Sequence, residues 1–241
     1  MPFSILPALD VAAGRLVVVE GGRPRPVAAF GGDPVAAAHA MVEAGATALH
    51  LVDLDLAFDG APGLDVGAMR DAAPAVLLQV SGGIADLATG RRYLEAGADR
   101  FVLGSAGLFD EAATLGAIEG GGSAVVVGLE VDGDRIRPRG GRGDRPVEGA
   151  DLMTTLGWLQ AAGARSFLVT ATTRVAGLAG PDVGLVRRVS RAGRPTYAAG
   201  GIRSLADLRA VRDAGASGAV VGRAALEGHL ALADVLAWAL T

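Results

Sequence analysis

Apolar residues gather in short, nearly continuous runs, and these alternate along the whole chain with stretches of helical period. The runs at 5–11, 48–53, 76–81, 100–104, 124–131, 166–170, 196–200 and 218–222 have strand length and show no consistently polar face. Strands that read this way are buried on both sides, as in a parallel sheet covered by helices. Between them the pattern predicts helices over 34–43, 86–96, 152–162, 181–191 and 204–214. Their ends carry matching chemistry: Asp33 precedes Pro34 at one helix start, and Ser204 opens another. Gly45, Gly97, Gly163 and Gly215 each sit in Ala-Gly-Ala, where a helix stops in the left-handed conformation. Eight strands alternating with helices in 241 residues predict an α/β fold, a closed (β/α)8 TIM barrel, formed as one domain over 1–241. An open dinucleotide-binding sheet would need G-x-G-x-x-G after its first strand. Here that strand runs on into Asp10-Val11-Ala12-Ala13-Gly14 instead.

The chain also repeats itself at an offset of 118 residues. Gly82-Gly83-Ile84 returns as Gly200-Gly201-Ile202, and Leu103-Gly104-Ser105-Ala106 as Val221-Gly222-Arg223-Ala224. Two half-barrels, about 1–121 and 122–241, follow from the repeat. Each half carries a pair of glycine turns at strand ends, where adjacent backbone N–H groups can cradle an anion. Gly82, Gly83, Gly104 and Ser105 form one candidate phosphate site, and Gly200, Gly201, Gly222 and Arg223 the other. A ligand held by both would be a small molecule with two phosphates.

Composition narrows the chemistry. Net charge is -4 with acids and bases interspersed, so no basic field marks a nucleic-acid or membrane partner. All 22 basic residues are Arg, which excludes an enzyme lysine as Schiff-base partner. With no Cys, thiolate nucleophiles, thiolate metal sites and disulfides are excluded as well. Three scattered histidines, His39, His50 and His229, do not make a metal site, and no cofactor is implied. No apolar run approaches the roughly 18 residues of a membrane span, and the N-terminus lacks a signal-peptide pattern. A cytoplasmic monomer is the expectation.

Catalytic groups of such barrels stand at the C-terminal ends of the strands. Asp10 ends the first strand, and Glu130, its counterpart in the second half, ends the fifth. A carboxylate terminating an apolar strand is costly unless it faces the barrel mouth, and two of them between phosphate sites suit proton transfer on a sugar. Thr170 ends the sixth strand and Ser81 the third. Of Asp53 and Asp55, after the second strand, one is expected in the mouth and the other on nearby backbone; Asp53 is placed with the substrate pocket. His50, within that strand, reads as a core residue, and His39 and His229 as surface positions.

The stretches Leu6-Pro-Ala-Leu-Asp-Val, His50-Leu-Val-Asp-Leu-Asp-Leu-Ala-Phe, Val80-Ser-Gly-Gly-Ile and Ala199-Gly-Gly-Ile resemble the phosphoribosyl isomerases of histidine biosynthesis. The resemblance covers essentially the whole chain. It implies an Amadori rearrangement of the aminoaldose ProFAR to the aminoketose PRFAR, with Asp10 as general base. It implies phosphate binding by the eight glycine-turn residues named above, to which Gly177 in the loop after the sixth strand is added. It also aligns Thr170 with a family threonine, and Arg139 with a loop arginine that helps select substrate in a bifunctional branch acting on phosphoribosyl anthranilate as well. Four positions depart. Val175 stands where the family has its general acid, Glu130 where it has Asp, and Val18 where it has a loop Arg; Arg139-Gly140-Gly141 lacks the Trp of the bifunctional branch. Proton donation is then left to Glu130, to water held by Thr170, or to a loop residue such as Glu20. Three outcomes stay open: an isomerase with weakened or re-routed acid catalysis, a binding protein without useful turnover, and a bifunctional isomerase.

Overall fold

The computed structural model describes residues 3–20, 22–138, 150–175 and 179–241. Eight parallel strands form its centre: β1 (Ser4–Ala12), β2 (Ala48–Asp53), β3 (Leu77–Ser81), β4 (Arg100–Leu103), β5 (Val125–Asp132), β6 (Phe167–Ala171), β7 (Thr196–Ala199) and β8 (Gly218–Val221). Each pairs with its sequence neighbour, and β8 closes on β1 through Ser4↔Gly218 to Pro7↔Val221. The barrel is therefore shut, with no exposed edge.

Side chains divide by strand parity. One buried set, including Leu6, Ala8, Val102, Val126, Leu168, Tyr197 and Val220, clusters apart from the larger core and fills the barrel. The other, including Leu9, Leu49, Leu78, Phe101, Phe167 and Val221, packs outward beneath the helices. Both faces of every strand are covered, which is why the strands read as unbroken apolar runs.

Helix starts are fixed by short polar caps. Asp33 accepts from Val35 N before Pro34–Glu43, Asp86 from Thr89 N before Leu87–Glu95, and Ser204 from Asp207 N before Leu205–Asp213. Shifting Arg100–Leu103 by the repeat offset of 118 lands on Gly218–Val221. Backbone angles follow the same offset, with φ of 101° and 67° at Gly82 and Gly83 against 93° and 77° at Gly200 and Gly201.

Two strand pairs extend the barrel beyond the sequence expectation. After β1 the chain turns back as Arg15–Glu20, antiparallel to β1, and then as Arg23–Pro26. After β5, Arg135–Ile136 returns along that strand in the same sense. Both sit at the C-terminal end of the barrel.

Candidate active site

Strand register places the candidate groups around one rim. Asp10 lies opposite Val52, and Val52 opposite Ser81. Across the barrel Glu130 lies opposite Thr170, and Thr170 opposite Ala199. Asp10, Ser81, Glu130 and Thr170 thus top the barrel interior, and all four line a cleft of about 980 Å³ at the C-terminal face. Glycine turns flank them: Gly82, Gly83, Gly104 and Ser105 in the first half, Gly200, Gly201, Gly222 and Arg223 in the second, and all eight line the same cleft. Gly177 and Arg139 lie outside the described residues.

The glycines are there for two reasons. At Gly82 a Cβ would overlap the Asp53 carbonyl oxygen, and at Gly83 it would come within 2.7 Å of Leu56 O, so tight packing on the next βα turn demands glycine at both. At Gly200 the nearest atom to a Cβ is 3.4 Å away, and the left-handed φ alone calls for glycine. The Gly104 N–H is already engaged, donating to Ile84 O at 2.7 Å. The first N–H groups of the short turn Ser105–Phe109 have no partner within that turn and stand at the cleft wall.

Two side chains assigned to ligand by sequence do other work. Asp53 is fully buried and does not line the cleft. Its Oδ1 accepts from Leu56 N at 2.9 Å, capping Leu54–Phe58, and its Oδ2 accepts from Gly63 N, Leu64 N and the Tyr93 hydroxyl at 3.0, 3.0 and 2.7 Å. Burial and this bond to a carboxylate push the Tyr93 hydroxyl pKa well above the ordinary phenol range. Asp55 bonds backbone too, accepting from Ala13 N at 2.9 and 3.0 Å. Neither aspartate enters the mouth, because the position of β2 that faces inward at this level is Val52. Ser105 reaches the cleft, but its hydroxyl donates to Gly128 O at 3.2 Å and accepts from Glu130 N at 2.8 Å. That hydroxyl braces β5 and so helps set the Glu130 backbone.

Arg223 faces the cleft with its guanidinium partnered. Its Nε donates to Glu227 Oε2 at 2.8 Å, and its Nη1 lies 3.5 Å from Glu20 Oε1. The bond between Arg223 and Glu227 raises the Arg223 pKa and lowers that of Glu227. Glu20 also pairs with Arg25 at 2.8 Å, and Arg25 reaches Glu227 at 3.6 Å. The hairpin over the mouth is thereby tied to the start of Arg223–Leu226, and Glu20 is occupied there as an ion-pair partner. Val18 and Val175 both line the cleft. Where the resemblance puts an arginine and an acid, this cleft has two apolar walls.

A polar group that sequence reading set aside completes the picture. His50 is buried within the barrel yet borders the cleft, with Nδ1 3.0 Å from Gln79 Nε2 and Nε2 3.0 Å from Ser81 Oγ. Burial lowers its pKa from 6.5 to about 4. No group of metal-binding side chains occurs among the described residues.

Comparison with known proteins agrees with this architecture. A protein named 1-(5-phosphoribosyl)-5-((5-phosphoribosylamino)methylideneamino)imidazole-4-carboxamide isomerase from Renibacterium salmoninarum is 38% identical, over 98% of this chain and 96% of its own. Proteins of the same name from Saccharopolyspora erythraea and Roseiflexus are 38% and 34% identical, covering 98% and 97% of this chain and 99% and 98% of theirs. Residues 4–231 match the model of the histidine biosynthesis protein family, and with near full-length relatives above 30% identity the chain belongs to that family.

Proposed function

We propose that this protein is an aldose–ketose isomerase converting ProFAR to PRFAR, with a bisphosphorylated substrate stretched between the two glycine-turn cradles. One observation carries the reading: two strand-end carboxylates, Asp10 and Glu130, line the same cleft as both cradles. Full-length similarity to proteins named for this isomerisation supports it.

The rearrangement needs a proton on the ribose ring oxygen as the C1–O bond opens to a Schiff base, and then removal of the C2 proton to give an enolamine. Asp10 is the base for the second step. The donor for the first is Glu130 or water held by Thr170, because Val175 offers no proton. General acid assistance is worth about 10²–10⁴-fold, so an enzyme that re-routes it through a less well placed donor is slow but still a catalyst. Orientation of the substrate by two phosphate contacts does not depend on that acid. The apolar Val175 wall favours one second reading, a binding protein of the same ligand without useful turnover. Steady-state assay of the purified protein with ProFAR separates the two. Turnover supports the isomerase, and binding without turnover leaves the second reading.

A further inference from the structure

Among the described residues, the apolar filling of the barrel interior is broken by Arg100, which donates to the Tyr197 hydroxyl at 3.0 Å, and by His50 and Gln79, which face each other in register across β2 and β3. His50 and Gln79 are both buried, Gln79 completely. Burying such a pair where leucine or valine would pack costs free energy unless its hydrogen bonds are made. The bond between the two side chains is made, and it has a direction. The Gln79 amide nitrogen can only donate, so Nδ1 of His50 accepts and the ring proton sits on Nε2. This arrangement leaves the Gln79 Oε1 and the second amide N–H without a partner. Nε2–H then donates to Ser81 Oγ. With its oxygen accepting from His50, the Ser81 hydroxyl must send its own hydrogen elsewhere, and Ser81 borders the cleft.

We propose that His50 is a positioning residue: the relay Gln79–His50–Ser81 fixes the Ser81 hydroxyl as a donor into the cleft, toward a ligand oxygen that gains negative charge during reaction. The sugar O2 of an enolamine intermediate has that character. A neutral imidazole suits the task, since it polarises the serine without adding a charge that would compete with Asp10 for the substrate. This inference rests on the isomerase reading for the identity of the ligand, not for the relay itself.

Two measurements test it. Ring ¹⁵N spectra of the ligand-free protein, which has three histidines in all, should show His50 protonated on Nε2 alone. A ring protonated on Nδ1 overturns the proposal. Kinetically, Ser81→Ala and His50→Leu should each lower kcat about tenfold with KM within about twofold, the effect of one hydrogen bond strengthened in the transition state. Ser81→Thr, which keeps the hydroxyl, should recover most of the rate. The double variant should be no worse than Ser81→Ala, because His50 acts only through Ser81. Multiplied losses in the double variant would mean that His50 merely packs, and would overturn the proposal. A wild-type protein without turnover sinks the isomerase reading instead. The ring ¹⁵N spectra, which need no turnover, then decide the relay.

Discussion

Replacing Asp53 by Asn distinguishes a structural carboxylate from a catalytic one, and the structure sets the size of the effect. The carboxylate accepts four hydrogen bonds, three of them on Oδ2. An asparagine does best by keeping its carbonyl oxygen toward Gly63 N, Leu64 N and the Tyr93 hydroxyl. Its NH2 group then confronts Leu56 N–H, and the cap of Leu54–Phe58 is lost. Loss of a cap costs about 1 kcal/mol, and exchanging three charge-assisted bonds for neutral ones costs about 0.5–1 kcal/mol each. The expected total is about 3 kcal/mol, a large share of the roughly 5–15 kcal/mol that holds a domain folded. Tyr93→Phe should cost about 1.5 kcal/mol alone and less in the Asp53→Asn background, since the two share a bond. Urea unfolding read by circular dichroism measures both. A change below 1 kcal/mol for Asp53→Asn, or lost turnover with an unchanged unfolding midpoint, would refute the structural assignment and return Asp53 to the substrate.

Asp10→Asn should abolish ProFAR turnover while leaving ligand affinity within a few-fold, because the change is nearly isosteric and removes only the base; a variant that retains its rate in a steady-state assay contradicts the assignment. Val175→Asp should raise kcat by restoring a proton donor at the cleft wall, up to the 10²–10⁴-fold that acid assistance supplies, and an unchanged kcat would mean that proton donation does not limit the reaction. Acid should destabilise the fold through His50, whose folded pKa of about 4 lies below its ordinary 6.5. The unfolded chain then binds the extra proton first, so stability is complete above pH 6.5 and falls by about 3 kcal/mol as pH drops toward 4. Unfolding midpoints between pH 7 and pH 4.5 should therefore slope less steeply in His50→Leu than in wild type, and equal slopes would contradict the buried neutral ring.

The features legible in the sequence were those with local causes. Strand positions followed from apolar runs, helix starts from Asp33 and Ser204, and the glycine turns from a repeat that also repeats backbone angles. The direction of a polar side chain on a strand buried on both faces was not legible. In β2 every residue from Ala48 to Leu51 is buried, as is Asp53, so no alternation of polar and apolar residues reveals parity. The partner that settles Asp53, Tyr93, lies 40 residues away. The same ambiguity hid His50, which pattern alone placed in the core; its link to the cleft depends on Gln79 and Ser81 in the neighbouring strand. The hairpin after β1 did leave a signal in Leu16-Val17-Val18-Val19 followed by Gly21-Gly22, but Arg and Pro in the returning strand masked it.

The two valines are best understood together. By resemblance, Val18 replaces an arginine and Val175 an acid, so the cleft loses one charge of each sign and its net charge is unchanged. On the proposed mechanism, what changes is the supply of protons. Asp10 and Glu130 remain as carboxylates at the rim, and an ionised carboxylate accepts protons more readily than it gives them. Arg223 ties the Arg15–Glu20 hairpin to one cradle through Glu20. A substrate phosphate at Arg223 competes with Glu20 for the same guanidinium. On the proposed function, then, phosphate binding at that cradle and the position of the hairpin are electrostatically linked through Arg223.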